Sequence, residues 1–206
     1  MTNIALDVYE TYTTQDIKLV LSKEESQTSY IEFIYDRLRV FMKDKGFSQS
    51  SIQAVYNVSN FSDILDDFNK IKALDKFINE TSGKDFLNIL KRVRRILNIE
   101  EKKIDSIIGI KVNQGLFEME EEKDLYTSQI KLAEEVNNLL KNEKYEKAMK
   151  IFSKNSTFLE KFFENVKVNV DDKEIKNNRL MLLSMIRNTF INFADFSLIE
   201  AENEVK

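Results

Sequence analysis

The sequence predicts an all-α protein, a helical bundle with two subdomains. Three observations favour this class. The 206 residues contain no proline and only four glycines, so little in the chain interrupts a helix. Apolar residues recur at three- and four-residue steps along most of the chain. Only residues 165–171, where valines alternate with polar residues, favour an extended segment. A/T-rich codon usage would also deplete proline, so the helical period is the stronger observation.

In the N-terminal half, glycines and capping residues indicate where helices begin and end. Residues 1–28 are weakly patterned, and we expect a lead-in that remains from a preceding domain. Helices are expected over residues 30–45, 48–56, 62–79 and 84–98. Gly46 follows the first of these as a stop signal, and Ser48 or Ser50 can cap the second. Gly83 is the predicted break between the third and the fourth.

A linker is predicted over residues 104–117, which hold the other two glycines and lack a helical period. The acidic run after it suits a helix N-terminus, where negative charge favours the helix dipole. That run consists of Glu118, Glu120, Glu121 and Glu122. Further helices are expected to residue 142 and over residues 145–154, 157–164 and 173–201. The predicted units are thus residues 1–28, 29–103, 104–117 and 118–206.

The composition excludes several kinds of active site. The chain has no histidine and no cysteine, which excludes Ser-His-Asp and Cys-His pairs, thiol redox chemistry and ordinary zinc sites. It also has no glycine-rich phosphate loop and no metal-ligand spacing. We therefore expect no catalytic residue, metal ligand or cofactor in this chain. A net charge of −4, with neither a signal peptide nor an apolar span, predicts a cytoplasmic protein.

The strongest charge feature is the stretch over residues 84–103, which contains seven basic residues and three acidic ones. Three of its cations share one helix face at i, i+3 and i+4, opposite an apolar stripe. A basic face on an acidic protein is what contact with a phosphate backbone requires. The candidate phosphate contacts are Lys91, Arg92, Arg94, Arg95, Lys102 and Lys103. The alternative interpretation is a solvated helix face.

The last predicted helix is apolar on nearly every side, which is typical of a buried helix. Its polar positions therefore mark an exposed or functional edge, and they are Arg179, Arg187, Asn188 and Asn192. For Arg179 a structural ion pair with Asp171 or Asp172 is the alternative. Some aromatic rings could stack on bases, although core packing is the favoured interpretation for each. These rings are Phe162, Phe163, Phe193 and Phe196.

Three stretches of the sequence carry a known pattern in order and spacing. They read FIYDRLRVFMKDKGF from residue 33, KRVRRIL from residue 91, and FFENVKVNVDD from residue 162, which continues through NRLMLL to ADFS at residue 197. They resemble the C-terminal region of the β subunit of bacterial glycyl-tRNA synthetase, the two-subunit type. The last stretch resembles the helical anticodon-binding domain named for its Asp-Ala-Leu-Arg (DALR) motif. Where that family has Leu-Arg-x-Pro before the Phe-Phe pair, this chain reads Asn155-Ser-Thr-Phe158, so the role of that arginine is not carried over.

The resemblance implies a tRNA(Gly)-binding part of a glycine–tRNA ligase that supports ATP-dependent glycylation of tRNA. Catalysis, with ATP and Mg, would lie on the α subunit, the expected partner in a heterotetramer, and neither DNA nor membrane is an expected partner. Residues 29–103 would be a tRNA-binding subdomain and residues 118–206 the DALR-type domain. Phosphate contacts would come from the basic face, and base contacts from Arg179 and Arg187, then Asn188 and Asn192. The alternative function is a structural docking domain for subunit assembly with little RNA contact.

Overall fold

The computed structural model describes residues 23–100 and 111–199, and these residues form a succession of helices. The helices are α1 (Lys23–Asp44), α2 (Gln49–Tyr56), α3 (Ile64–Asn79), α4 (Thr81–Ile99), α5 (Glu120–Lys141), α6 (Tyr145–Lys154), α7 (Ser156–Asn165) and α8 (Lys173–Ile191). Short 3-10 turns occur at Gln114–Leu116 and Phe196–Leu198. Neither described range contains a β-strand, which confirms the all-α prediction. The described residues divide into two compact units after Phe47.

The first unit contains α1, which ends as the sequence predicts. The N–H of Gly46 donates to the Lys43 carbonyl oxygen at 2.9 Å, and its φ of 89° lies in the left-handed region that favours glycine. The helix begins at Lys23, within the predicted lead-in. Residues 1–22 of that lead-in lie outside the described residues.

An aromatic cluster forms the centre of the second unit and holds α4 against α6 and α8. The Phe152 and Phe190 ring centroids lie 4.5 Å apart, and the ring of Phe86 on α4 lies 5.2 Å from that of Phe190. Phe193 and Phe196 complete the cluster from beyond the end of α8. Because large aromatic rings dominate the energetics of a core, this cluster fixes the position of α4 relative to α8.

Gly83 lies inside the first turn of α4, so the prediction that it separates two helices was wrong. The chain leaves the helical conformation at Glu80, whose φ and ψ of −81° and 151° are extended. A Cβ atom at position 83 would lie 1.9 Å from the carbonyl oxygen of Phe77. Glycine is therefore needed here for the close approach of α4 to the end of α3, and its φ is not of the left-handed kind.

Helices on both sides of the predicted linker pack together in the second unit. α3 packs on α6, and α4 packs on α6, α7 and α8. Residues 101–110 lie outside the described residues, whereas the turn after them is attached to α8. The Asn178 amide accepts from the Asn113 N–H at 2.7 Å and donates to the Asn113 carbonyl at 3.0 Å. The subdomain boundaries over 29–103 and 118–206 stay a prediction.

The last helix is shorter than predicted. It ends at Ile191 rather than near residue 201, because the chain turns back toward the core. Phe193 and Ala194 are buried, and the Asp195 N–H donates to the Ala54 carbonyl oxygen at 2.8 Å. This return places the 3-10 turn Phe196–Leu198 beside α4 and α2.

Candidate nucleic-acid interface

Arg179, a predicted base contact, lies in the interior instead of on a surface. Its side chain is 3% exposed, and its Nε and Nη2 donate to the two Glu122 carboxylate oxygens at 2.9 and 3.2 Å. Nη2 also donates to Glu118 at 2.9 Å, and Nη1 to the Lys167 carbonyl oxygen at 3.0 Å. The hydrogen bonds to Glu122 raise the pKa of Arg179. The structure therefore corrects the assignment: Arg179 is held by a structural ion pair, with Glu118 and Glu122 in place of Asp171 or Asp172.

Glu122 is the fully buried partner in this ion pair, and it also caps α5. Its Oε2 accepts the backbone N–H groups of Glu118 and Met119, each at 3.0 Å. The acidic run thus lies at a helix N-terminus, as predicted. Glu122 has a further role, because through Arg179 it joins α5 to α8 and to the segment before α8.

A groove lies between α4 and the end of α8, and we call it the α4–α8 groove. Its cationic side chains are Lys91 and Arg94 from α4 and Arg187 from α8. Its apolar lining comes from both helices and from the turn after α8, with Leu90, Val93, Phe190, Ile191, Ala194 and Phe196. The cavity measures about 220 Å³. The structure thus brings together two predicted phosphate contacts and one predicted base contact over an apolar floor.

Hydrogen bonds fix the rim of the α4–α8 groove. Arg94 Nη1 donates to the Ser197 carbonyl oxygen at 2.8 Å. The Asp195 carboxylate, which also lines the groove, accepts from the Ser197 N–H at 2.9 Å and from Asn57 Nδ2 at 2.9 Å. Among the described residues of the lining, Asp195 is the one acidic side chain, and it is engaged with donors from the turn and from α2, while Arg187 is exposed.

The other predicted contacts do not reach this groove. Arg92 points to the opposite side of α4, and Arg95 is exposed. Asn188 and Asn192 are exposed on and just after α8, outside the residues that line the α4–α8 groove. Lys102 and Lys103 lie outside the described residues.

Arg92 lines a second groove, which we call the α4–α7 groove, between α4 and the segment that follows α7. Its cavity measures about 510 Å³. The Arg92 guanidinium lies 4.3 Å from the centroid of the Phe163 ring. Lys167 and Lys176 also line this groove, and sequence reasoning missed both. The alternation of buried Val166 and Val168 around Lys167 is the signal that could have placed that lysine on the surface.

Within residues 23–100 and 111–199 no three acidic side chains are grouped so that they could hold a metal ion. No helix within these same residues is long and apolar enough to cross a bilayer.

Residues 89–203, more than half of the chain, match the family model of the DALR anticodon binding domain. The chain belongs to this family. The described residues that line the α4–α8 groove and the α4–α7 groove all lie within this DALR domain.

Individual relatives confirm the resemblance to glycyl-tRNA synthetase β subunits. The chain is 29% identical over 193 residues to the glycine–tRNA ligase β subunit of Sulfurihydrogenibium sp. (strain YO3AOP1), which covers 94% of the chain and 27% of that protein. It is 34% identical over 171 residues to that of Rhodospirillum centenum (strain ATCC 51521 / SW), covering 82% of the chain and 24% of the relative. The chain thus spans about a quarter of the length of the curated relatives that it matches.

Proposed function

We propose that this chain binds tRNA(Gly) as the anticodon-binding part of a glycine–tRNA ligase β subunit, and that the α4–α8 groove receives part of the anticodon loop. One observation carries the choice of groove. Lys91, Arg94 and Arg187 come from helices far apart in the sequence, yet they converge on one apolar floor inside the DALR domain.

The chemistry of the groove fits a single-stranded loop. Unstacked bases present apolar faces and polar edges, and the phosphates between them carry negative charge. The apolar lining from α4 and α8 suits a base, while the three cations suit the phosphates on either side of it. Phosphate contacts account for much of the affinity, and base contacts supply specificity.

We propose that catalysis lies elsewhere in the holoenzyme. The relatives are β subunits of an aminoacyl-tRNA ligase, and this chain offers no histidine or cysteine for acid–base or nucleophilic chemistry. ATP and Mg would act on the α subunit, with this chain holding the tRNA during translation in the cytoplasm.

Arg187→Glu is the cleanest test of the groove. Arg187 is exposed, and the structure records no ion pair for it within residues 23–100 and 111–199, so its reversal is expected to leave stability unchanged. Arg94 is less suitable because it also holds Ser197. The matched control is Lys131→Glu, the same charge reversal at an exposed position on α5 outside the groove.

The measurement is a titration of fluorescently labelled tRNA(Gly) with the full chain at several salt concentrations. For one lost phosphate contact to a single strand, Arg187→Glu should lower the slope of log affinity against log salt by about 0.7, and Lys131→Glu should lower it less. A wild-type chain that does not bind tRNA(Gly) would contradict the proposed function. Equal effects of the two variants would contradict the choice of groove.

A structural docking domain for subunit assembly is the second candidate function. It is favoured by aromatic side chains on α1 that are about half exposed, with Tyr30 at 53%, Phe33 at 52% and Phe41 at 48%. Exposed apolar side chains grouped in this way are typical of protein interfaces. Co-purification with the α subunit in the absence of tRNA affinity would decide for this function.

A further inference from the structure

The α4–α7 groove has a built platform that the proposed function does not use. The guanidinium carbon of Arg92 lies over the Phe163 ring, 4.3 Å from its centroid, and Arg92 Nη2 donates to the Phe163 carbonyl oxygen at 3.4 Å. Phe163 is buried beneath it, so the ring is packed against the core. A guanidinium fixed on an aromatic ring keeps its outer face and its remaining N–H donors available to a ligand.

The charge in this groove favours an anionic ligand. Among the described residues that line it, the three cations Arg92, Lys167 and Lys176 outnumber the two carboxylates Glu100 and Glu164. The Lys176 ammonium and the Glu100 carboxylate form an ion pair at 2.8 Å and neutralise each other. Lys167 is exposed on the segment that faces α4, where its ammonium is available to a phosphate.

The two grooves lie on the two sides of α4, and its basic side chains join them. Lys91 and Arg94 line the α4–α8 groove, whereas Arg92 lines the α4–α7 groove. At about 3.6 residues per turn, Arg95 projects between Lys91 and Arg92. Because Arg95 is exposed, cationic side chains follow one another across the outer surface of α4 from Lys91 to Arg92.

We propose that the α4–α7 groove is a second RNA subsite, in which a nucleotide of the strand that occupies the α4–α8 groove stacks its base on Arg92 and places its phosphate beside Lys167. The strand crosses α4 over Arg95. This inference rests on the proposed function, since it needs RNA in the first groove. Base stacking on a planar side chain is tolerant of sequence, so this subsite adds affinity and fixes the direction of the strand.

The experiment uses the full chain and the anticodon stem–loop of tRNA(Gly), with 2-aminopurine placed at one loop position at a time. The fluorescence of this base falls when it stacks, so the labelled position that responds to Arg92 identifies the occupant. Arg92→Gln removes the charge and the fork, whereas Arg92→Lys keeps the charge without the planar surface. Lys167→Glu and Arg95→Glu test the phosphate path at exposed positions, and Lys161→Glu on α7 is the matched control.

Arg92→Gln is expected to weaken binding at least about fivefold, the lower end of what one base stack contributes. It should also abolish the quenching at one loop position, and Arg92→Lys should restore part of the affinity but not the quenching. Lys167→Glu and Arg95→Glu should each lower the salt slope by about 0.7, and Lys161→Glu should lower it less. Unfolding midpoints measured in parallel identify any variant whose fold is altered. Because Lys167 is exposed, Lys167→Glu is expected to keep the unfolding midpoint of the wild-type chain.

The two hypotheses fail in different ways. If Arg187→Glu weakens binding while Arg92→Gln, Arg95→Glu and Lys167→Glu bind like Lys161→Glu, the second subsite is refuted and the proposed function stands. If all the charge reversals, including Lys161→Glu, weaken binding equally, the RNA is attracted by the overall positive charge of the surface, and the second subsite is refuted. If the wild-type chain binds no RNA, the proposed function and the subsite are both refuted.

Discussion

Replacing Arg179 by methionine is expected to be among the most destabilising changes on α8. Methionine approximates the length of the arginine side chain, so the change removes the charge and the donors while much of the volume is kept. It leaves the Glu122 carboxylate, which is 0% exposed, without its cation. It also removes the donors to Glu118 and to the Lys167 carbonyl oxygen, and so releases the segment before α8.

The geometry sets the size of the effect. Breaking a buried ion pair by removing one partner costs about 3–5 kcal/mol, because the other charge stays buried. Glu122 keeps two backbone donors at 3.0 Å, from Glu118 and Met119, which offsets part of that cost. We therefore expect a loss near the lower end, about 3 kcal/mol, against a total stability on the order of 5–15 kcal/mol for a domain.

Equilibrium unfolding in urea, followed by circular dichroism at the helical band, measures the loss. Glu118→Gln is the matched control, since Glu118 is 55% exposed and solvent screens its charge, so its loss should cost about 1 kcal/mol or less. The double variant Arg179→Met/Glu122→Gln removes both charges and should be more stable than the sum of the two single changes predicts. A loss below about 1 kcal/mol for Arg179→Met, or strict additivity in the double variant, would refute the reasoning.

Three further changes test the packing of the second unit by the same unfolding measurement. Gly83→Ala should lower the free energy of unfolding by about 1–3 kcal/mol, because the new Cβ would lie 1.9 Å from the Phe77 carbonyl oxygen. Alanine stabilises an ordinary helix position, so a stabilising effect would contradict this prediction. Ser82→Ala, at the exposed neighbouring position, is the control. Phe152→Ala should cost about 3–5 kcal/mol, since its fully buried ring contacts those of Phe86 and Phe190; a cost under about 1 kcal/mol would show that the cluster does not hold α4 and α8. Burial and a hydrogen bond to Asp66 raise the pKa of Tyr145, so its contribution to stability should be complete below about pH 10 and lost as the pH rises further. Tyr145→Phe should therefore show a smaller decline in unfolding midpoint above that pH than the wild-type chain, and an equal decline would contradict the assignment.

Local chemistry near the helix ends could be predicted from the sequence. Ser48 caps α2 by accepting the Ser51 N–H at 3.2 Å, and Gly46, in a left-handed conformation, terminates α1. Both signals depend on a residue and its immediate neighbours, so no knowledge of the fold is required. The helical period was equally informative, because it reports the face that a helix buries, whatever it is buried against.

Features that depend on two distant segments could not be predicted in this way. Gly83 is needed because another helix end approaches it, and the sequence of α4 does not contain that information. The ion pair of Arg179 is an exception, because the sequence contains a signal for its partner. Glu122 falls in step with Leu125, Gln129 and Leu132 on the buried face of α5, so its carboxylate had to be buried and to need a cation. An arginine in an apolar helix and a glutamate on an apolar stripe are each other's natural partners.

The basic face of α4 shows why a sequence pattern can identify charged residues without identifying the site that they form. Periodicity placed Lys91, Arg94 and Arg95 together, and they do share the outer side of the helix. Yet what each cation can bind depends on what stands beside it: the end of α8 next to Lys91 and Arg94, and the segment after α7 next to Arg92. Because a helix is about 10–12 Å wide with its side chains, one basic face can serve two separate grooves. The part of the structure on which the proposed RNA binding depends is thus the arrangement of α4 between α7 and α8, in which the buried aromatic cluster holds α4 against α8.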